Sequence, residues 1–523
     1  MPIPQDPRAQ VNEELFRRYK DARSDWEIDA RVDLDFYFGN HFSGDEVDDL
    51  ASRNQAAVPM DRVAPAVEKL KAMLTSKEPA FTVLPREDSD VKVSKLWRVI
   101  MSYVWEISDG NVQLKQAIHD HSTTGLGYLY AYIDPEADFG KGEVKFTSVD
   151  PFRIYVPSTS RDRYFNDADN IILSTILTGD QILNLYPELG MASESEDADQ
   201  ERTILEQLSS YTDEDYPDAQ NQNTINVFTP AEAKGLEWAA MERYQILERF
   251  YKIKVPYYRV ISAADGNELI MNDDEFQEFM AKNPEVLERG LMDFEEVMQT
   301  RIAVVASVGE VVLYESVLNT DLYPIVPLPN IYTGTPYPKS DVSRVKPTQR
   351  LLNKLWSLAL SHAQASAGLK LLVPMGSVDN IEQLEKDWEF YIDFAFGLPE
   401  LMHGVADKAP ETVRGTERMI AQGSERPKSK LRDIEYSIRR LGQVLYGICK
   451  GHYVYQKMFR LAQANNNINE VMVNYYDDYS GSVMDIAKER WRIDQHDISI
   501  EAGSTLPSSK WAELSVYMEA YQM

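Results

Sequence analysis

Apolar positions along the chain fall into long stretches of helical period, separated by shorter stretches that alternate. Leu15, Tyr19, Ala22 and Trp26 step along one face of a helix predicted over 10–38 and ended by Gly39-Asn40. Asp61 is placed to cap a second helix that runs to about Ser76 through Val63, Val67, Leu70 and Leu74. A strand Phe81–Pro85, helices near 90–108 and 111–123, and a hairpin turning near Gly140-Lys141-Gly142 follow. Tyr251, Ile253, Val255, Tyr257 and Val260 predict strand within 238–263. Residues 273–282 and 285–298 read as helices interrupted by Asn283-Pro284, and strands 301–306 and 310–315 turn at Gly309. Helices and antiparallel strands are segregated rather than alternating, so the fold class is α+β.

The most informative pattern is Asp341 to Ala367, preceded by the Pro-broken apolar run Tyr323–Pro329. Pro347 is expected in the first helical turn, where a missing N–H costs nothing. Leu351, Leu355, Leu358 and His362 recur at helical spacing as an oily stripe, while Lys346, Arg350 and Lys354 stack four apart. Such a helix suits packed neighbours on one side and either solvent or a polyanion on the other. Farther on, a helix over 379–391, the Gly- and Pro-rich stretch 397–410 and a long helical region 411–464 are predicted, the last bending near Gly423 and Pro427.

Charge changes this picture. The chain of 523 residues carries a formal charge of −30, which argues against tight grip on duplex DNA, because grip comes from neutralised phosphates. It does not exclude a wall past which DNA slides, centred by a few basic residues. Residues 193–220 hold ten acids against Arg202 and read as a solvent-facing segment, with none of the register of a calcium loop. Between Val413 and Arg460, eleven bases stand against four acids. They either pair with acidic surfaces of the same or a neighbouring subunit or contact DNA.

Known chemistry is sparse. No P-loop, Gly-x-Ser-x-Gly elbow or zinc spacing is present. His119 and His121 lie two apart and diverge on a helix, so no metal is expected, and neither is any cofactor or catalytic residue. Cys449 stands alone and excludes an intrachain disulfide framework. The start is polar, not a secretory signal, and no apolar run approaches the roughly 20 residues that span a bilayer.

Three patches carry a family resemblance. The first is Gln349-Arg350-Leu351-Leu352-Asn353 with Ser357 and Ser361, after the Pro-rich strand. The second is Gly125-Leu126-Gly127-Tyr128, then Val149-Asp150-Pro151-Phe152-Arg153-Ile154-Tyr155, Arg161-Asp162, Asn166–Asp169, Asp180-Gln181-Ile182 and Tyr186-Pro187. The third is Ala502-Gly503-Ser504-Thr505-Leu506-Pro507. In order and spacing they resemble the portal proteins of tailed bacteriophages, most of all short-tailed ones. Val156-Pro157 departs from the pattern, since an acid commonly precedes that proline.

The resemblance implies a wing, stem, clip and crown fold assembling into a ring, usually of twelve subunits, at one capsid vertex. It would place the N-terminal wing at 1–270, a first stem helix at 271–300, the clip at 301–338 and the second stem helix at 339–367. The wing return would occupy 368–464, with a tunnel loop at 397–410, and a crown-proximal segment 465–523. The sequence stops at Ala520-Tyr521-Gln522-Met523 within a helical pattern, where relatives continue into crown helices. Lys339, Arg344, Lys346, Arg350 and Lys354 are then expected to face DNA in the channel. Met402, His403 and Lys408 are expected on the tunnel loop, the other possibility being an outer surface loop. Implied partners are double-stranded viral DNA, the terminase large subunit, head-completion or tail adaptor proteins, the major capsid protein and scaffold protein. The implied place is the virion, after assembly in the host cytoplasm, with no enzymatic activity. The alternatives are an acidic helical adaptor or scaffold without a DNA channel, or an enzyme with an unrecognised site.

Overall fold

The computed structural model describes residues 6–53, 55–76, 79, 81–85, 91–190, 192–193, 202–203, 243–262, 268–282, 292–366, 425–462, 468–474, 476–477, 481–482 and 496–500. Its principal elements are α1 Pro7–Tyr37, α2 Gly44–Ser52, α3 Val63–Leu74, β1 Phe81–Pro85, α4 Val91–Ile107, α5 Gly110–Thr123, β2 Leu126–Asp134, β3 Glu143–Val149, β4 Ile154–Tyr155, β5 Asn170–Thr178 and α6 Gly179–Leu185. Then come β6 Arg243–Ser262, β7 Glu268–Asn272, α7 Asp273–Lys282, β8 Met292–Val308, β9 Val311–Leu318, β10 Ile325–Pro329, α8 Asp341–Ser366, α9 Glu425–His452, β11 Lys457–Ala462, β12 Ile468–Val473 and β13 His496–Ile500. The class is α+β, as expected.

Two antiparallel sheets frame the molecule. One runs β9-β8-β6-β5-β4 with β7 also on β6, and the other runs β10-β2-β3. In the first, β6 pairs with β5 up to Tyr251 and with β7 only from Tyr257, leaving that edge of residues 252–256 open. Pro256 falls in the gap, where a strand tolerates a residue with no N–H to donate. The main core lies where α3, α4, α5 and α9 cover the β10-β2-β3 sheet, around Trp97, Ile100, Phe146 and Leu441. A second cluster, with Tyr128, Phe165, Phe250 and Ile325, joins the two sheets.

Several expectations are corrected. The segment 285–298, read as helix, enters β8 from Met292 and pairs residue by residue with β6. Phe294 and Met298 are four apart and mimic a helical step, but cross-strand pairing decides the outcome. The predicted helix 411–464 ends by His452, and Lys457–Ala462 is a strand. Pro347 sits seventh in α8, beyond the first turn. The oily stripe of α8 also faces outward, with Leu351 39%, Leu355 36% and Leu358 42% exposed. In place of that stripe, the buried face holds Val342, Val345, Gln349, Leu352, Asn353 and Ser357. Along α1, Ala22 is exposed and the inward face is Asn12, Phe16, Tyr19, Arg23, Ala30 and Asp33. In α3 the cap position is Arg62, one residue later than expected, although Asp61 still accepts from the backbone of Val63 and Ala64 at 2.9 and 3.2 Å.

Candidate functional site

The start of α8 is fixed by buried polar contacts. Ser340 caps it, its hydroxyl accepting from the Ser343 N–H at 2.8 Å while donating to Asp33 Oδ2 at 2.6 Å. Lys346 reaches the other oxygen of Asp33 at 2.6 Å, with both side chains largely buried. Burial raises the Asp33 carboxyl above the ordinary range, and the Lys346 and Ser340 contacts hold it down. Asp341, in the first turn, accepts from Asn330 at 2.8 Å and from Lys430 of α9. A carboxylate there also suits the positive end of the helix.

One turn farther on, the two amides of the Gln-Arg-x-x-Asn patch work as a clamp. Gln349 donates to the Met60 carbonyl at 2.5 Å and to Asn353 Oδ1 at 2.9 Å. Asn353 Oδ1 also accepts from the Met60 N–H at 3.0 Å, so the pair holds the chain entering α3. Asn353 Nδ2 donates to His41 Nδ1 at 3.0 Å, and His41 Nε2 donates to the Phe36 carbonyl at 2.9 Å. Because Nδ1 accepts, the proton sits on Nε2. The Phe36 ring stacks on His41, with Arg350 over it at 5.4 Å. Nothing in the sequence spacing joins Asp33, His41 and Met60 to α8, since their partners lie about 300 residues away.

The expected basic stripe is therefore divided. Lys346 spends its charge on Asp33, whereas Lys339, Arg344, Arg350 and Lys354 are exposed. Met402, His403 and Lys408 lie outside the described residues.

The second sequence patch is equally structural. Gly125 has φ +89° and lies against the backbone of Pro338 to Ser340, and a Cβ on Gly127 would sit 2.0 Å from the Ala117 carbonyl oxygen. These positions let the 338–340 loop and α5 approach β2 to a distance that any side chain would block. Downstream, the Asp150-Pro151 turn and strand β4 receive Arg23 of α1. Its guanidinium donates to the carbonyls of Ile154 and Phe152 at 2.8 and 2.6 Å and lies 3.7 Å from the Tyr155 ring centre.

The chain matches the family Phage P22-like portal protein over residues 13–390. It belongs to that family of phage portal proteins. The matched span contains both sheets, α1 from residue 13 onward, α2 to α8 and two of the three sequence patches. No curated protein matches the chain. In this portal protein, His121 is a core residue. Its Nδ1–H donates to the Leu328 carbonyl at 3.0 Å, leaving Nε2 buried and unprotonated. Burial, with Lys430 nearby, pushes it down to about 4. Among the described residues no group of three His, Cys, Asp or Glu is placed to hold a metal, and no helix is long and apolar enough to cross a membrane.

Proposed function

We propose that this chain forms the ring at one capsid vertex through which the genome is packaged and later ejected, with twelve copies as the working stoichiometry. The observation that carries the reading is the family match across residues 13–390. A portal does not hydrolyse nucleotide. The terminase large subunit supplies the work during packaging, and adaptor proteins attach afterwards. Major capsid and scaffold proteins are its partners during head assembly.

Within this reading, α8 is the second stem helix. The segment 271–300 is then assigned to α7 and the start of β8 rather than to one helix. The exposed Leu351, Leu355 and Leu358 support side-by-side packing of α8 between copies, because a stripe left out of its own core gains from burial against a neighbour. Arg344, Arg350 and Lys354 are proposed to face DNA, whereas Lys339, at the helix entry, lines a cavity beside α1. Rings of such charges centre a duplex, and the net charge of −30 keeps it from sticking. The stretch 397–410 remains the proposed tunnel loop, with Met402, His403 and Lys408 near the axis.

Negative-stain imaging of the purified chain tests the ring directly: closed rings with a central hole are expected. A monodisperse monomer at micromolar concentration would instead favour an acidic adaptor. The DNA-facing set is tested by Arg344→Gln, Arg350→Gln and Lys354→Gln together. Rings should persist while packaging or retention of DNA falls. Normal retention would make these residues a solvated face only.

A further inference from the structure

The outward face of α1 presents Asp21, Asp25 and Asp29 beside Ile28, which is 63% exposed. Between this face and residues 333–340 lies a cavity of about 310 Å³. Its walls include Ala22, Asp25, Trp26 and Asp29 on one side and Tyr337 and Lys339 on the other. The Trp26 and Tyr337 rings lie 5.3 Å apart, and Trp26 Nε1 donates to the Pro338 carbonyl at 3.2 Å, so the aromatic wall is fixed. Asp33 at the inner end is paired with Lys346, but among the described residues no cation is paired with Asp25 or Asp29. A cavity of this size lies at the lower end of the range for ligand pockets and has room for one or two side chains. Carboxylates beside a tryptophan face suit a guanidinium, which can pair and stack at once.

A matching donor sits on α9. Ser429, Arg432, Tyr436, Arg439 and Gln443 recur at steps of three and four and form an exposed ridge. Tyr436 packs on Tyr164 with ring centres 4.5 Å apart, which holds the ridge in shape. Other bases of this region are already engaged: Lys430 with Asp341, Arg440 with Asn166, and Lys457 with Asp138 and Glu143. Arg432 and Arg439 are exposed, with no acidic partner among the described residues.

The two surfaces sit on different elements: α1 rests mainly on α8, β6 and β8, α9 mainly on β10, β13 and β2, and both touch α3. We propose that the α9 ridge of one copy docks on the α1 pocket of the next, a ridge arginine entering between Asp25, Asp29 and Trp26. This rests on the ring reading above. A chain of charge −30 repels its own copies, so association gains from a place where unlike charges meet. Unlike patches at two places on one chain can meet head to tail and close a ring, whereas a two-fold axis passing through the ridge would set arginine against arginine.

Charge reversal tests the pairing. Arg432→Glu with Arg439→Glu, and separately Asp25→Lys with Asp29→Lys, are assembled alongside the native chain and the combined four-fold swap. Each pair alone should raise the concentration at which rings form by at least tenfold, and the swap should restore it. Circular dichroism and melting of each variant confirm that the fold survives. Should a variant misfold, Ala22→Cys with Arg439→Cys supplies the second measurement, and a crosslink between protomers is expected. Rings that form normally from both reversed variants, a swap that fails to restore them, or no crosslink would each overturn the pairing. Intact rings with lost DNA binding in the arginine variant would assign the ridge to DNA and also overturn it. Absence of rings from the native chain would instead sink the ring reading itself.

Discussion

Asn353 satisfies three groups with one side chain: the Met60 N–H, the Gln349 amide and His41 Nδ1. Truncation leaves all three buried without it, so Asn353→Ala is expected to cost about 2–4 kcal/mol, measured by denaturant midpoint. His121 allows a pH test. Its folded value near 4 lies below the ordinary imidazole value, so the unfolded chain binds a proton that the folded chain refuses. The contribution is therefore fully present above the unfolded value of about 6.5 and is lost as pH falls towards 4. Relative to His121→Gln, the native chain should lose roughly 3 kcal/mol across that window. The comparison with the variant matters because Asp120, raised to about 8 by burial and by Asp150, acts with the opposite sign over the same range. Parallel pH profiles for the two chains would show that His121 does not carry the effect.

At the scale of elements, α8 presents three kinds of surface on three faces. The inward face clamps the approach to α3, one flank carries Lys346, Arg350 and Lys354, and the remaining face is oily and outward. The sequence showed the helix, its period and the basic flank. It did not show which apolar-looking stripe would be buried, because Gln349, Asn353 and Ser357 become core residues only through partners distant in the chain. The same limit explains β8: its local pattern reads as helix, and only the pairing with β6 makes it a strand. Lys346 is the residue at which the two levels conflict. Read locally it belongs to a DNA-facing stripe, but its ammonium neutralises Asp33. Lys346→Gln should thus destabilise the fold by about 2–3 kcal/mol, less than a fully buried pair because Lys346 keeps some exposure. Adding Asp33→Asn should recover most of that loss, and a double-mutant cycle measures the coupling. Additive losses would mean that the two groups do not share an interaction.

For the whole molecule, the family and the α+β class were legible because turns and close approaches call for particular residue types. Gly125, Gly127 and the Asp150-Pro151 turn are such traces, and all of them bring α1, α5 and the 338–340 loop against the sheets. Surface charge was legible as a total but not as a distribution. Only the folded chain separates the engaged bases of α9 from Arg432 and Arg439. If unlike patches link the copies, ring stability should fall as salt rises, since exposed pairs are screened beyond about 10 Å at 0.1 M. Sedimentation across a salt series would check this, and rings indifferent to salt would point to the leucine face of α8 as the dominant contact.

The pairing of β1 with β13 has a consequence in time. Phe81 faces Ile500, and Pro85 faces His496, so the first strand is completed by residues made some 400 positions later. At about 5–20 residues per second, the ribosome needs on the order of 20–80 s to deliver that partner. Throughout that interval Phe81 and Val83, both buried in the finished molecule, belong to a strand with an open edge. The nascent chain is thus exposed to misassociation early and is sealed late. Pulse proteolysis of stalled chains should find cleavage near 81–85 persisting until residues 496–500 have left the ribosomal tunnel.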